Sequence, residues 1–356
     1  MAECILIGNG GGGYDVAFSN NGYFQYPANI IVPSNVTTLA AADSRGGFYK
    51  HTELETISFE SPSTITALSN SLCDGCTSLV SFDMPPNITI INQYAFRNTA
   101  IREITIPSGV TTIGQYAFYG CPLSDITWNT GSSQVILESY AFSHSGITDT
   151  VYSKIINRSY KTNTYLFEYC NNLRNIVVPR TASYMFQYCT GLISAALTDE
   201  DARHSASQYL FRGCTALMTV TIVDTIKTIS GSCFYGCSSL ANVGIPNTLT
   251  TIEGNAFQNC TSLQTITLPS TITSLNSNAF NGCSSLTDIV LGSNWNCSCS
   301  FSAVTTLTAS SLVAMLTSLA DLTGGSAKTL TLGATNLAKL TSEEKMIALN
   351  KNWNLA

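Results

Sequence analysis

The sequence predicts an α/β repeat solenoid, with a parallel β-sheet, short helical or 3-10 turns and a helical C-terminal cap. Three observations carry this. Residues 217–285 read as three gapless copies of one 23-residue unit, L-x-x-[IV]-x-[IL]-P-x-x-[ILV]-T-x-[IL]-x-x-x-[AC]-F-x-x-C-x-[SA]. Within the unit, two short stretches alternate apolar and polar residues, the pattern of half-buried strands. The sequence then changes to a helical apolar period beyond about residue 307.

The first stretch, L-x-x-I-x-I, ends at Pro, which has no N–H to continue a ladder. The second, V-T-x-I, is β-branched and alternating. The phrase A-F-x-x-C that follows reads as one helical or 3-10 turn with Ala, Phe and Cys inward. One unit has roughly seven apolar positions, worth about 1.5–3 kcal/mol each when buried. Ordering its residues costs about 1–2 kcal/mol apiece. A lone unit cannot fold, whereas stacked units bury one another and pair their strands in parallel.

Residues 1–29, with the run Gly10–Gly13, read as an N-terminal lead-in or cap. The run lacks the Gly-Lys-Ser/Thr ending of a phosphate-binding loop. MAECILIGNGGGG has neither the basic start nor the apolar length of a signal peptide, so the route of any export stays open. Residues 30–302 hold about eleven units of about 23 residues. Ile30–Leu39 is the first phrase, followed by the insertion AAADSRGG before Phe48. Later units begin at Leu54, Leu79, Ile101, Leu123, Ile147, Leu173, Leu192, Leu217, Leu240, Leu263 and Leu286, spaced 19 to 26 residues apart.

Residues 303–356 read as a cap with two helices and a strand. Ser310 is a plausible N-cap for the first helix, and Gly324 follows its end. Thr341 to Glu344 form a capping-box signature for the last helix.

The phrases IREITIPSGVTTIGQYAFYGC (101–121) and LQTITLPSTITSLNSNAFNGC (263–283) resemble the treponemal-type leucine-rich repeat of BspA-like bacterial surface proteins. The resemblance covers about 30–300. It implies a right-handed leucine-rich-repeat solenoid, non-enzymatic in its repeats, at the cell surface or secreted, that binds or adheres to a protein or glycan partner. The tail at 303–356 also resembles that of leucine-rich and phage-tail-like proteins of gut bacteria, which implies the alternative of a prophage- or tail-associated recognition protein.

Charged residues make up 11% of the chain and the net charge is −6. The absence of a basic excess removes the electrostatic basis for nucleic-acid binding, and no apolar run is long enough to span a bilayer. Of thirteen cysteines, eight (Cys76, Cys121, Cys170, Cys189, Cys214, Cys237, Cys260 and Cys283) share one slot of the unit. A column of buried free thiols, acting as small apolar residues, accounts for them better than disulfides. Cys73 and Cys76 form a C-x-x-C, but no second pair has zinc-site spacing, so no metal or other cofactor is expected. His51, His144 and His204 lie in no catalytic motif. Asp199-Glu200-Asp201 reads as a solvated acidic loop. A carbohydrate-acting enzyme is a further alternative, without a carboxylate pair to support it.

Two surfaces could bind. The outward positions of the first strand are Ser58, Asp83, Thr105, Thr127, Val151, Val177, Ala196, Thr221, Gly244, Thr267 and Val290, a face of small, mostly uncharged side chains. The second surface is sharper. Two residues before the repeat phenylalanine stand Tyr94, Tyr116, Tyr140, Tyr165, Tyr184 and Tyr209, where later units have Ser232, Asn255 and Asn278. Tyr119, Tyr152, Tyr160, Tyr169 and Tyr188 add to the column. Residues 154–212 also hold seven basic residues, Arg174 and Arg180 among them, against four acids. Tyrosine with arginine is the composition of binding hot spots. The column therefore predicts a ligand-binding surface, with packing between stacked rings as the competing account.

Overall fold

The computed structural model describes residues 5–8, 14–17, 28–36, 39, 47–131, 134–179, 181–200 and 204–356. It divides into two compact units, Met1–Leu173 and Arg174–Ala356. Each is a parallel β-solenoid of stacked coils.

The first unit begins with an antiparallel hairpin of Ile5–Gly8 and Tyr14–Ala17. Its front strands follow at Asn29–Val32, Thr56–Phe59 and Ser81–Phe82, paired in parallel. Glu103–Ile106 and Asp125–Trp128 form a further parallel pair. The second side of each coil carries Ala67–Leu68, Ile90–Ile91, Thr112–Ile113, Val135–Leu137 and Ser159–Thr162, one five-stranded parallel ladder. In the next coil the front strand is replaced by helix α1, Asp149–Ile156. Val151, expected on an outward strand face, is buried in it together with Tyr152, Ile155 and Ile156. The local sequence explains the switch. These four apolar residues repeat at helical spacing, and no proline follows to end a strand.

The second unit has front strands Asn175–Val178, Ser194–Leu197, Thr219–Ile222 and Asn242–Gly244, then the pair Thr265–Leu268 and Asp288–Leu291. Its second side carries Ser205–Ala206, Thr228–Ile229, Thr251–Ile252 and Ser274–Leu275. Beyond them, Cys299–Ser300, Lys328–Thr331 and Trp353–Leu355 pair in parallel. Helices α2 (Ala309–Ser318), α3 (Gly333–Leu337) and α4 (Ser342–Leu349) connect them. The tail thus has one more helix and one more strand than its sequence pattern suggested. The N-cap of α2 is Thr308, not Ser310: the Thr308 hydroxyl accepts the Ser311 N–H at 3.1 Å. Both bonds of the Thr341–Glu344 capping box are present.

The core of each unit is a phenylalanine stack. Phe96, Phe118 and Phe142 follow one another at centroid separations of 5.3 and 5.4 Å. Phe211, Phe234, Phe257 and Phe280 do so at 5.7, 5.2 and 5.4 Å. On this third side of the coil the A-F-x-x-C phrase forms consecutive tight turns with alternating bond partners. The N–H groups of Ala95, Arg97 and Thr99 donate three residues back within the coil, while those of Tyr94, Phe96 and Asn98 donate to the next coil. The i→i−3 bonds of a 3-10 turn are there, but positive φ two residues before and two after the phenylalanine breaks the helical run, as at Tyr94 (59°) and Asn98 (57°).

The cysteine slot is more than a small apolar gap. Cys121, Cys214, Cys237, Cys260 and Cys283 each donate S–H to the phenylalanine carbonyl of the preceding coil at 2.9–3.2 Å. Elsewhere the slot holds His51, Thr99, Ser145 or Val304; the Ser145 hydroxyl donates to the Phe142 carbonyl of its own coil, and Thr99 Oγ1 lies 3.3 Å from Cys121 Sγ. Cys73 occupies the phenylalanine slot of its coil, between Ser71 (φ 55°) and Gly75 (φ 78°). The C-x-x-C is therefore F-x-x-C with its phenylalanine replaced. No disulfide and no metal-ligand cluster occurs among the described residues.

Candidate binding surface

The tyrosines lie on the third side of the coils, two residues before each core phenylalanine. All six have left-handed backbone, with φ between 56° and 62°. Ser232 and Asn255 hold the same conformation in later coils. A bulky residue with positive φ is rare, whereas asparagine accepts it readily.

In the first unit Tyr94, Tyr116, Tyr140 and Tyr165 stack at centroid separations of 5.2, 4.6 and 4.5 Å, with interplanar angles of 18°, 6° and 7°. Arg97 covers the near end, its guanidinium 4.4 Å from the Tyr94 ring. Asp74 holds that guanidinium in a bidentate fork, 2.8 Å from Nε and 2.7 Å from Nη2. A second row runs alongside. Tyr119 meets Tyr116 edge-on at 5.6 Å, His144 lies 4.8 Å from Tyr119, and Tyr169 stacks on His144 at 4.3 Å. The tyrosine rings are half-buried. Their faces are taken up by one another, so the surface offers ring edges and phenol groups.

Burial, followed by the charge of neighbouring groups, pushes the phenols of Tyr116, Tyr119 and Tyr140 above the ordinary tyrosine range. They remain neutral hydrogen-bonding groups at physiological pH. Glu168 is buried beside them, and the same loss of solvent raises its carboxyl pKa despite a 3.4 Å bond from the Ser143 hydroxyl. Burial lowers the pKa of the His144 imidazole.

In the second unit Tyr184 and Tyr209 stack at 4.5 Å and 8°. The Arg212 guanidinium lies 5.5 Å from the Tyr209 ring, 5.8 Å from Tyr188 and 5.3 Å from Tyr235. Tyr188 in turn lies over Gly213, where an added Cβ would stand 2.3 Å from the Tyr188 ring.

The structure places Arg174 and Tyr152 away from the tyrosine rows. Arg174 leads the front strand Asn175–Val178, on another side of the coil, and donates to the Gly191 carbonyl at 3.1 Å. Arg180 lies outside the described residues, as does the side chain of Tyr160. Tyr152 is buried in α1, edge-on to Phe167 at 5.2 Å. Arg97 and Arg212 lie over tyrosine rings, both one residue after a core phenylalanine. That shared slot is the signal by which sequence could have found them. His51 is half-buried, edge-on to Phe48 at 6.3 Å, and burial lowers its pKa to about 4. Asp199 is buried instead of solvated. Its carboxylate accepts the His204 N–H at 3.1 Å and lies 3.0 Å from His204 Nδ1. Asp201 is outside the described residues.

Fold and surface together define a repeat protein built of leucine-rich coils. The BspA type leucine rich repeat region matches residues 15–124, 89–204 and 204–321, in six copies, and the chain belongs to that family. A leucine-rich repeat protein from Bacteroides ovatus has a similar fold, with 18% identity, a TM-score of 0.51, and coverage of 100% of this chain and 99% of its own. A leucine rich cell surface protein from Faecalibacterium prausnitzii aligns at 18% identity and a TM-score of 0.44, over 86% of this chain and 90% of its own. The pneumococcal vaccine antigen PcpA aligns at 16% identity and a TM-score of 0.49, over 97% and 93%. No curated protein sequence matches the chain significantly. No helix among the described residues is long and apolar enough to cross a membrane.

Proposed function

We propose that this chain is a non-enzymatic binding module of a bacterial surface or secreted protein, and that it engages a protein or glycan partner through the tyrosine surface. The observation that carries the proposal is the left-handed backbone of the six tyrosines. Such a conformation costs a non-glycine residue about 1–2 kcal/mol. Ring stacking returns about 0.5–1.5 kcal/mol per pair. Stacking offsets much of that strain, which the asparagine in the same slot of later coils largely avoids. Strain kept where a cheaper residue is available marks a functional surface.

The chemistry fits binding better than catalysis. Phenols with raised pKa values hydrogen-bond and pack, but they are poor general acids and bases near neutral pH. A cell-surface setting rests on the family. The phage-tail alternative gains no support from the comparisons.

The test is Tyr116→Asn with Tyr140→Asn, screened on a glycan and host-protein array. The double variant should keep its thermal midpoint within a few degrees and lose the binding shown by the parent. A large fall in midpoint with binding intact would make the stack packing only.

A further inference from the structure

The front sheet of the second unit is split. Asn242–Gly244 pairs with Thr219–Ile222 on one side, but no ladder joins it to Thr265–Leu268 on the other. The bond that the Asn242 N–H donates to Met218, and the Asp288 N–H to Gln264, has no counterpart at Thr265. A cleft of about 460 Å³ lies along the split, lined by residues 242–245 and 265–267, none of them charged. Val243 and Ile245 are half-exposed in it, whereas their counterparts Val220, Ile222, Ile266 and Leu268 are buried.

Gly244 stands at the mouth of the cleft, in the outward slot that Thr221 and Thr267 hold in the neighbouring coils. Glycine weakens a strand, because it loses more freedom on folding and gives no side chain to pack. Nothing in the backbone demands it here. Its φ is not positive, and an added Cβ would meet only the Val220 carbonyl oxygen at 3.8 Å and Thr221 Cα at 3.9 Å, ordinary contacts. What the glycine does is leave the mouth open.

We propose that this cleft binds a neutral N-acetylated sugar, at a site independent of the tyrosine surface. It is of small-ligand size, and its uncharged lining offers nothing to balance an ionised group. Strand edges without a ladder present N–H donors and C=O acceptors side by side. An acetamido group carries one of each, and its methyl matches the apolar walls of Val243 and Ile245. The Asn242 amide and the hydroxyls of Thr265 and Thr267 are the partners for ring hydroxyls. A peptide strand fits less well. Inserted in the split it would need two ladder spacings, about 9.6 Å, and the Cα atoms of the two strands come within 8 Å of each other. A pendant acetamido group needs only the mouth.

Saturation-transfer NMR titrations of the whole chain with N,N′-diacetylchitobiose, N-acetylgalactosamine, cellobiose and N-acetylalanine methylamide test this. At least one N-acetylated sugar should give a saturable signal, strongest at the acetyl methyl, with cellobiose and the peptide amide at least tenfold weaker. G244T restores the residue of the adjacent coils. It should weaken the sugar at least tenfold while its thermal midpoint equals or exceeds the parent's. G244A, whose added methyl meets only ordinary contacts, repeats the test with less bulk. The tyrosine double variant should bind the sugar as the parent does, which separates failure of this site from failure of the other. No saturable signal up to millimolar probe, binding of cellobiose or the peptide amide equal to that of the N-acetylated sugars, or a G244T titration equal to the parent's would overturn the proposal.

Discussion

At the scale of single residues, two groups have roles that composition alone conceals. The ladder thiols are donors. The Phe234 carbonyl accepts both the Cys237 N–H at 3.1 Å and the Cys260 S–H at 3.2 Å. Because the carbonyl keeps one partner in any variant, losing the thiol costs about 1 kcal/mol, the net value of an ordinary hydrogen bond. Cys260→Ser, which retains a donor in a slot that Ser145 occupies in another coil, should fall within about 1 kcal/mol of the parent in denaturant unfolding. Cys260→Val removes the donor and adds bulk, and should cost about 1–3 kcal/mol. Equal losses would show that the slot reads size alone. Glu168 makes the opposite contribution. Its folded pKa lies above its unfolded value, so the folded state holds the proton more tightly. The stability this contributes is present below the unfolded pKa near 4.5 and is lost as pH rises through the folded value. Glu168→Gln should therefore raise the thermal midpoint at pH 7–8, with the gain shrinking toward pH 4. A gain independent of pH would assign the effect to something other than ionisation.

At the scale of the element, each coil depends on its neighbours through the phenylalanine. Phe257 is fully buried, with Phe234 on one face at 5.2 Å and Phe280 on the other at 5.4 Å. Phe257→Ala should cost about 3–5 kcal/mol, the usual range for truncating a buried aromatic. A loss under about 1 kcal/mol in urea unfolding would contradict that packing. Helix α1 shows how an element changes without breaking the stack. Tyr152 reaches Phe167 from the helix, keeping the core continuous while the strand in front is lost. The switch was legible in the spacing of Val151, Tyr152, Ile155 and Ile156, but a register assumed from neighbouring repeats placed Val151 outside.

At the scale of the whole molecule, the described cysteines are all buried and none is in a disulfide. Burial raises the pKa of Cys121 to about 11, and of Cys170 and Cys283 to about 12. Since the thiolate is the reactive form, these thiols should resist a thiol reagent in native buffer and react promptly in guanidinium chloride. A reducing agent should leave the thermal midpoint unchanged. Rapid native reaction of several thiols per chain would mean that the coils open locally.

Sequence by itself determined the repeat, its strands, the inward phenylalanine and cysteine columns, and the tyrosine column. All of these follow from side-chain periodicity along one chain, and stacking multiplies that signal with every copy. Tertiary structure alone decided what meets across coils. Arg97 covers a tyrosine of its own coil, Tyr94, because Asp74 of the preceding coil holds its guanidinium there, and Arg212 reaches Tyr188 and Tyr235 of the neighbouring coils besides Tyr209 of its own. The left-handed backbone of the tyrosines was hidden for a similar reason: φ is set by alternating bonds within and between coils. The half-exposed indole of Trp128 has no sequence motif at all: it is uncovered because helix α1 occupies the place of the strand that would follow it.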